Sequence, residues 1–291
     1  MASERGLVLQ PATQAELSRW ITQACGVILG PDKAYLLEHR LTGLLTELKI
    51  DTFETLRDRL LDGRIAGLRE RVVESIVTHE TSFFRDRHPF EAYRQNLLPA
   101  CRSRWLADRS SSMMPARPIR IWSAACSTGQ EPVSLAIGAL EWLRTGGAAD
   151  LRPSDIRIVA TDISNRIIQQ ARTGRYSDGD LSRGMSPELR TRYFRPENGS
   201  WVLENEPAGM IEYRRFNFVE AGFGLGIFDL VFCRNVLIYF DDTLKKRVIE
   251  ELQRSLAPGG YLMLGSAESL YGISDKFQSL VMQGSQVYLR T

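Results

Sequence analysis

Residues Ile119 to Leu143 read IRIWSAACSTGQEPVSLAIGALEWL: a strand, a tight loop of small residues, then a helix. Ile119, Ile121 and Trp122 are β-branched and aromatic strand formers. Ala124 to Gly129 carries almost no bulk, so a ligand can approach the backbone closely. Pro132 falls in the first helical turn, where proline is tolerated. Val133, Ile137, Leu140 and Leu143 then recur at the period of a helix with one face buried against a sheet. Glu131 is left at the helix mouth, beside the loop.

A βα turn of this kind belongs to a Rossmann-like sheet, and the acid expected next is Asp162, ending the apolar run that starts at Ile156. A carboxylate at that strand end can accept both hydroxyls of an adenosine ribose. The dinucleotide fingerprint G-x-G-x-x-G is absent, since only Gly129 is present. Those glycines let a pyrophosphate sit on the helix N-terminus, so their absence points to a nucleoside ligand without phosphates. Glu131 would repel a pyrophosphate and suits a cation. S-adenosylmethionine, an adenosine carrying a sulfonium and an ammonium, fits both conditions.

Composition sets the outer bounds. The 291 residues suffice for two domains, and 43% hydrophobic with 25% charged residues is an ordinary globular balance. A net charge of +2 gives no support for a nucleic-acid partner. Cys25, Cys101, Cys126 and Cys233 are scattered, with no C-x-x-C pair or histidine cluster, so free thiols and no metal site are expected. No signal-peptide pattern opens the chain, and no apolar run approaches the ~20 residues of a membrane span. A cytoplasmic protein without membrane insertion is expected; the sequence itself is silent on oligomeric state, and a monomer is the working assumption.

Taken in order, the chain is helical from Gln10 to about His79, with apolar periodicity at Leu17 and Ile21, at Leu37 to Leu48, at Phe53 to Leu60 and from Ile65 to Ile76. Asp51 followed by Glu54 reads as a capping box for the third helix. Val77 to Phe90, VTHETSFFRDRHPF, fits no amphipathic template. Its aromatics suit a hydrophobic latch and its polar members suit an active site, and the residues leave both readings open. Glu91 to Arg120 is a basic connection, most simply a solvated face, with a flexible Ser-rich loop from Ser110. After Asp162 comes a helix capped by Ser164, then an irregular insertion in which Asn198-Gly199 signals a hairpin. Phe228-Asp-Leu-Val-Phe-Cys is a strand buried in a parallel sheet, and it delivers Arg234, Asn235 and Tyr239 past its carboxyl end, where such sheets bind ligands. Pro258-Gly259-Gly260 leads into a strand from Tyr261, and two more strands close the sheet.

TSFFRD, WSAACSTGQEP, TDIS, FCRNVLIYFD and LAPGGYLMLGSAES, in that order, resemble the chemotaxis receptor glutamate methyltransferases, the CheR family, through nearly the whole chain. The resemblance implies an α/β, Rossmann-like class I S-adenosylmethionine-dependent methyltransferase with an all-helical N-terminal domain (1–80), a basic linker (81–115) and a methyltransferase domain (116–291) carrying a small antiparallel β subdomain at about 174–210. It implies cofactor contacts from His79, Thr81, Arg85, Glu131, Asp162, Asn217, Phe218, Arg234 and Asn235, with Arg85 and Tyr239 nearest the transferred methyl. The implied reaction methylates glutamate side chains on the cytoplasmic domains of chemoreceptors and yields S-adenosylhomocysteine, with no metal. His79 stands where relatives often carry Asn, and Val133 where Tyr is frequent; His79 would add pH dependence to cofactor binding. Two rival readings are an RNA or small-molecule methyltransferase, supported by the basic connection alone, and a non-catalytic receptor-docking sensor, against which Arg85, Asn235 and Tyr239 stand intact.

Overall fold

The computed structural model describes residues 8–111, 117–146, 148–220 and 222–291, in two compact units. The first takes the chain up to Thr78 together with 217–220 and Tyr239–Leu244. Its helices are Pro11–Cys25, Ala34–Leu48, Phe53–Asp62 and Leu68–Ile76, and each buries its apolar stripe, Leu17 and Ile21, Leu37 and Leu41, Phe53 and Leu56, Val72 and Ile76. The third helix is capped by Thr52, whose hydroxyl accepts the Thr55 amide at 3.1 Å, rather than by Asp51. Glu54, expected to complete a capping box, instead accepts the Thr13 hydroxyl at 2.9 Å. The fourth helix begins at Leu68 because Gly67, at φ 75°, turns left-handed ahead of it. Two later segments of the chain close this unit: the Asn217 side chain donates to the Ala24 carbonyl (2.9 Å) and Ile28 N–H donates to the Tyr239 carbonyl (3.0 Å).

Among the described residues the second unit holds ten strands: β1 (Ile119–Ala124), β2 (Ile156–Asp162), β3 (Arg175–Tyr176), β4 (Phe194–Glu197), β5 (Ser200–Leu203), β6 (Ile211–Arg215), β7 (Phe228–Cys233), β8 (Leu256–Leu264), β9 (Phe277–Met282) and β10 (Ser285–Arg290). Seven form one sheet in the order β6-β2-β1-β7-β8-β10-β9, parallel except for β10, which is antiparallel to β8 and β9. The chain runs outward from β1 to one side and later from β7 to the other. Ala124 and Cys233, the last residues of β1 and β7, are paired at this switch point, where α/β sheets open a crevice for ligands. β7 is buried along its whole length, which explains its near-continuous apolar sequence. Its one acid, Asp229, is held by Arg117 through both carboxylate oxygens (2.8 and 2.9 Å) and by the Arg120 amide (2.9 Å).

The inserted segment forms a separate antiparallel sheet, β3-β5-β4. Its hairpin turn is Asn198-Gly199, both at positive φ (51° and 75°), the backbone that matches the strand twist. The basic connection is an amphipathic helix: Arg94 and Arg109 are exposed on its solvent side, as a charged face would be, but its other side is buried. Residues from His88 to Ser111 are helical throughout, with a π-helical turn at Tyr93–Leu97, and Tyr93, Leu97, Cys101 and Trp105, each four apart, are buried in the sheet's core. The Ser-rich loop falls mainly on 112–116, outside the described residues. β8 starts at Leu256, so Pro258-Gly259-Gly260 lies within the strand, at a register shift opposite Phe228 and Leu230, rather than ahead of it. Among the described residues, no helix is long and apolar enough to cross a membrane and no group of acids, cysteines and histidines could hold a metal ion.

Candidate active site

The loop after β1 is strained, and the strain is held in place from several sides. Ala125 (φ 60°), Ser127 (φ 51°) and Gly129 (φ 96°) are all left-handed. Two of them pay the penalty of a side chain there, a feature that clusters at ligand sites. Gly129 is obligatory, because a Cβ would lie 2.9 Å from the Tyr176 hydroxyl and 3.0 Å from that of Tyr213. Tyr176 in turn donates to the Thr128 carbonyl at 3.2 Å. Ser127 is the hinge of the arrangement. Its amide donates to Asp162 Oδ2 (2.9 Å) and its hydroxyl donates to the His79 carbonyl (2.8 Å).

Asp162 ends β2 with 6% of its surface exposed. Its Oδ1 accepts the Ser164 amide (3.1 Å), and the Ser164 hydroxyl caps the following helix at the Ile167 amide (3.1 Å). Burial pushes the Asp162 carboxyl above the usual carboxylate range, against the opposing pull of the Ser164 amide, the His79 charge and the Ser127 amide. The Ile163 amide adds a further backbone hydrogen bond to this carboxylate; a carboxylate has about four lone-pair positions, so acceptor capacity remains.

Glu131, in the first turn of helix Gln130–Arg144, accepts the Ser123 hydroxyl (2.8 Å) and Arg234 Nη1 (3.2 Å). Burial raises its pKa despite Arg234, Ser123 and the charge of Arg85. Arg234 extends from the end of β7 with its side chain 2% exposed. Its Nη2 reaches Asp86 (2.6 Å) and the Arg85 carbonyl (3.1 Å), and the guanidinium lies 5.7 Å from the centre of the Phe90 ring. Arg234 Nε is buried with no hydrogen-bond partner among the described residues. A buried cation is thus bracketed by two carboxylates, one of them at the mouth of the small-residue loop.

The segment Val77 to Phe90 combines the two readings that its sequence left open. Phe83 is buried edge-on against Tyr176 (4.9 Å) and Phe194 (5.8 Å), while Phe84 meets Phe90 at 5.4 Å. The polar members between and beside them serve the site: the His79 carbonyl takes Ser127, and Asp86 takes Arg234. Phe84, Asp86 and Arg87 are left-handed, and the Phe84 amide is fixed by Ser134 Oγ at 2.9 Å. Arg85 is half-buried and donates to the Glu80 carbonyl at 3.1 Å. Thr81 is half-buried in the same segment.

Of the residues singled out in sequence, His79, Thr81, Arg85, Glu131, Asp162, Arg234 and Asn235 therefore lie in the sheet-containing unit; contacts join His79 and Asp162 through Ser127, and a second group joins Arg85 and Glu131 to Arg234, with Ser123 and Asp86 completing it. Asn217, Phe218 and Tyr239 belong to the helical unit, where Phe218 packs edge-on against Phe240 at 5.9 Å. Sequence reasoning missed Ser127, Asp86 and Glu268. Ser127 sat in plain view inside the small-residue loop, and Asp86 directly follows Arg85; Glu268 gave no local signal. Its side chain accepts the amides of Asn235 (2.8 Å), Val236 (2.9 Å) and Leu237 (2.7 Å) just past β7.

The family model described as CheR methyltransferase, SAM binding domain, matches residues 79–285. Chemotaxis protein methyltransferase Cher2 of Pseudomonas putida is 37% identical over 270 residues, covering 92% of this chain and 94% of that protein. Chemotaxis protein methyltransferase 1 of Vibrio cholerae is 38% identical over 274 residues and covers 94% of each. Among solved structures, the N-methyltransferase NodS from Bradyrhizobium japonicum with S-adenosyl-L-homocysteine is similar at 17% identity and a TM-score of 0.36, over 71% of this chain and 84% of that one, too loose a likeness to carry an argument.

Proposed function

We propose, since the chain belongs to the CheR methyltransferase family, that it transfers a methyl group from S-adenosylmethionine to glutamate side chains of chemoreceptors, giving glutamate methyl esters and S-adenosylhomocysteine. The observation that carries this reading is the charge arrangement at the β1–β7 switch point: Glu131 at the mouth of a small, left-handed loop, tied to buried Arg234, with Asp162 at the end of the neighbouring strand. The donor set fits the cofactor. Glu131 would face its cationic methionine end, Asp162 would accept ribose hydroxyls, and the unpartnered Arg234 Nε leaves a donor for its carboxylate. No basic side chain stands in Ala125–Gly129 to receive a phosphate. His79, Thr81, Arg85, Asn217, Phe218 and Asn235 complete the proposed cofactor contacts.

When bound, S-adenosylmethionine supplies a methyl group on a sulfonium whose charge is lost on transfer. A glutamate, with an ordinary pKa of about 4.3, is already the nucleophile at neutral pH, so the protein has no proton to move. One C–O bond forms as one C–S bond breaks. What remains for the protein is placement and dryness: in-line alignment is worth several kcal/mol, and a dry site favours a step in which opposite charges neutralise. Arg85 would orient the incoming carboxylate without clamping it, since tight pairing would stabilise the ground state. Tyr239 would line the methyl path. The chain would work in the cytoplasm, at receptor arrays.

Transfer of labelled methyl groups to receptor-enriched membranes, released again by mild base, is the test. Label that resists base, or label appearing on RNA instead, would overturn the substrate. Cofactor binding with no transfer to any receptor would replace the reading with that of a non-catalytic sensor.

A further inference from the structure

The stretch Gly265-Ser-Ala-Glu-Ser269 follows β8, and nothing in its composition distinguishes Glu268 from an ordinary surface acid. In the fold it is 8% exposed. Its Oε1 accepts the amides of Val236 (2.9 Å), Leu237 (2.7 Å) and Ile238 (3.4 Å), and its Oε2 those of Asn235 and Gly265, both at 2.8 Å. One buried carboxylate thus gathers five consecutive or facing backbone donors from the ends of β7 and β8. The chain it gathers is strained, because Asn235 is left-handed at φ 58°. Gly265 makes the approach possible: a Cβ there would sit 2.8 Å from both Asn235 Nδ2 and Glu268 Oε2.

We infer that Glu268 is a positioning residue for the cofactor site, locking the Arg234-Asn235 turn in its strained conformation. The inference rests on the reading of this crevice as an S-adenosylmethionine site. The physical reason is electrostatic preorganisation: an anion is the one group that accepts five amides at once, and a neutral amide side chain of the same shape presents an N–H₂ toward some of those donors. With that partner removed, the amides of 235–238 must find water or rearrange, and Arg234 and Asn235 move with them.

The test compares E268Q with D229N in the full chain. Asp229 is a similarly buried acid at the opposite end of the same strand, satisfied by Arg117 and the Arg120 amide, and it serves as the control for stability alone. Titration calorimetry with S-adenosylhomocysteine should show E268Q weakened about ten-fold or more, with KM for S-adenosylmethionine rising in step. D229N should melt earlier yet bind as wild type does. If E268Q does not fold, E268D keeps the charge but draws it back by one methylene, and it should bind measurably more weakly than wild type. Wild-type affinity in a folded E268Q or E268D overturns this inference alone. Failure of the wild-type protein to bind S-adenosylhomocysteine overturns both it and the cofactor reading.

Discussion

Replacing Asp162 by Asn isolates the charge at the end of β2 without changing its size. In the structure the two carboxylate oxygens accept Ser127 N–H at 2.9 Å and Ser164 N–H at 3.1 Å. An asparagine satisfies one of these and turns its N–H₂ toward the other, so one buried backbone donor is left facing another donor, at a cost of about 1–3 kcal/mol in stability. At the ribose, one charge-assisted bond is lost and the other becomes neutral. Bonds to charged groups contribute about 1.5–3 kcal/mol each, so the summed loss is about 3 kcal/mol, or about two orders of magnitude in Kd. Calorimetric titration with S-adenosylhomocysteine measures this, with circular dichroism melts to show that the variant folds. The wild-type carboxyl, raised by burial, becomes neutral as pH falls through its elevated pKa. Wild-type affinity should therefore converge on that of D162N under acid, while D162N keeps only the shallower fall that Glu131 contributes. A folded D162N within about three-fold of wild-type affinity would refute the assignment of the ribose to this strand end.

Arg85→Ala should lower turnover by about 100-fold while changing S-adenosylhomocysteine affinity by less than about three-fold, since orienting the acceptor carboxylate is its proposed task; equal losses in both would make it a cofactor residue only. Glu131 must be ionised to attract a cation, and burial raises its folded pKa, so affinity for S-adenosylmethionine is full above that raised pKa and falls as pH drops through it, beginning above the ordinary value of about 4.3. S-adenosylhomocysteine, without the sulfonium, should fall less, and E131Q should leave in both curves only the fall that Asp162 contributes, read by calorimetry. For Glu141, burial pushes the pKa up, but hydrogen bonds from Arg144, Tyr193 and Arg192 bring it down to about 2 from 4.5. A depressed acid contributes stability that is present above its unfolded pKa and lost as pH falls toward the folded one. With Arg144 and Arg192 half-exposed and screened by solvent, E141Q should cost about 1–2 kcal/mol at neutral pH in urea unfolding, with the difference closing between about pH 4.5 and about pH 2; a gap that persists there would mean the loss is packing and not charge.

Much of this was legible because it was local. Phe228 to Cys233 announced a buried parallel strand by its apolar run, and Glu131 and Asp162 followed from their places at the ends of predicted elements. The Asn198-Gly199 turn could be read from two residues. What escaped was non-local or masked. The helix from His88 to Ser111 hid behind its arginines: counting charge drew attention to the solvent side, while the row Tyr93, Leu97, Cys101 and Trp105 at four-residue spacing carried the information. Asp86 meets Arg234 across 148 positions of sequence, and no local pattern encodes that pairing. Glu268 is satisfied wholly by backbone amides, which have no residue identity to read. Thr52 displaced Asp51 as helix cap by one position, within the usual uncertainty of helix ends.

The wedge at Phe83 bears on how freely this architecture can be cut and recombined. Its ring sits between Tyr176 and Phe194 of the inserted sheet, its carbonyl lies so close to Gly184 that a Cβ there would fall 1.9 Å away, and Tyr176 reaches on to the Thr128 carbonyl in the loop after β1. The insertion is therefore not a detachable accessory. A minimal enzyme made by trimming residues 174–210 to a short bridge would uncover a fully buried aromatic and remove the hydroxyl that steadies the cradle, and a chimera that imports a relative's insertion would have to import the residue at 83 along with it. The hairpin tip at Asn198-Gly199 takes no part in these contacts, and a side chain at Gly199 would meet open space, so the tip can be altered more readily than the root.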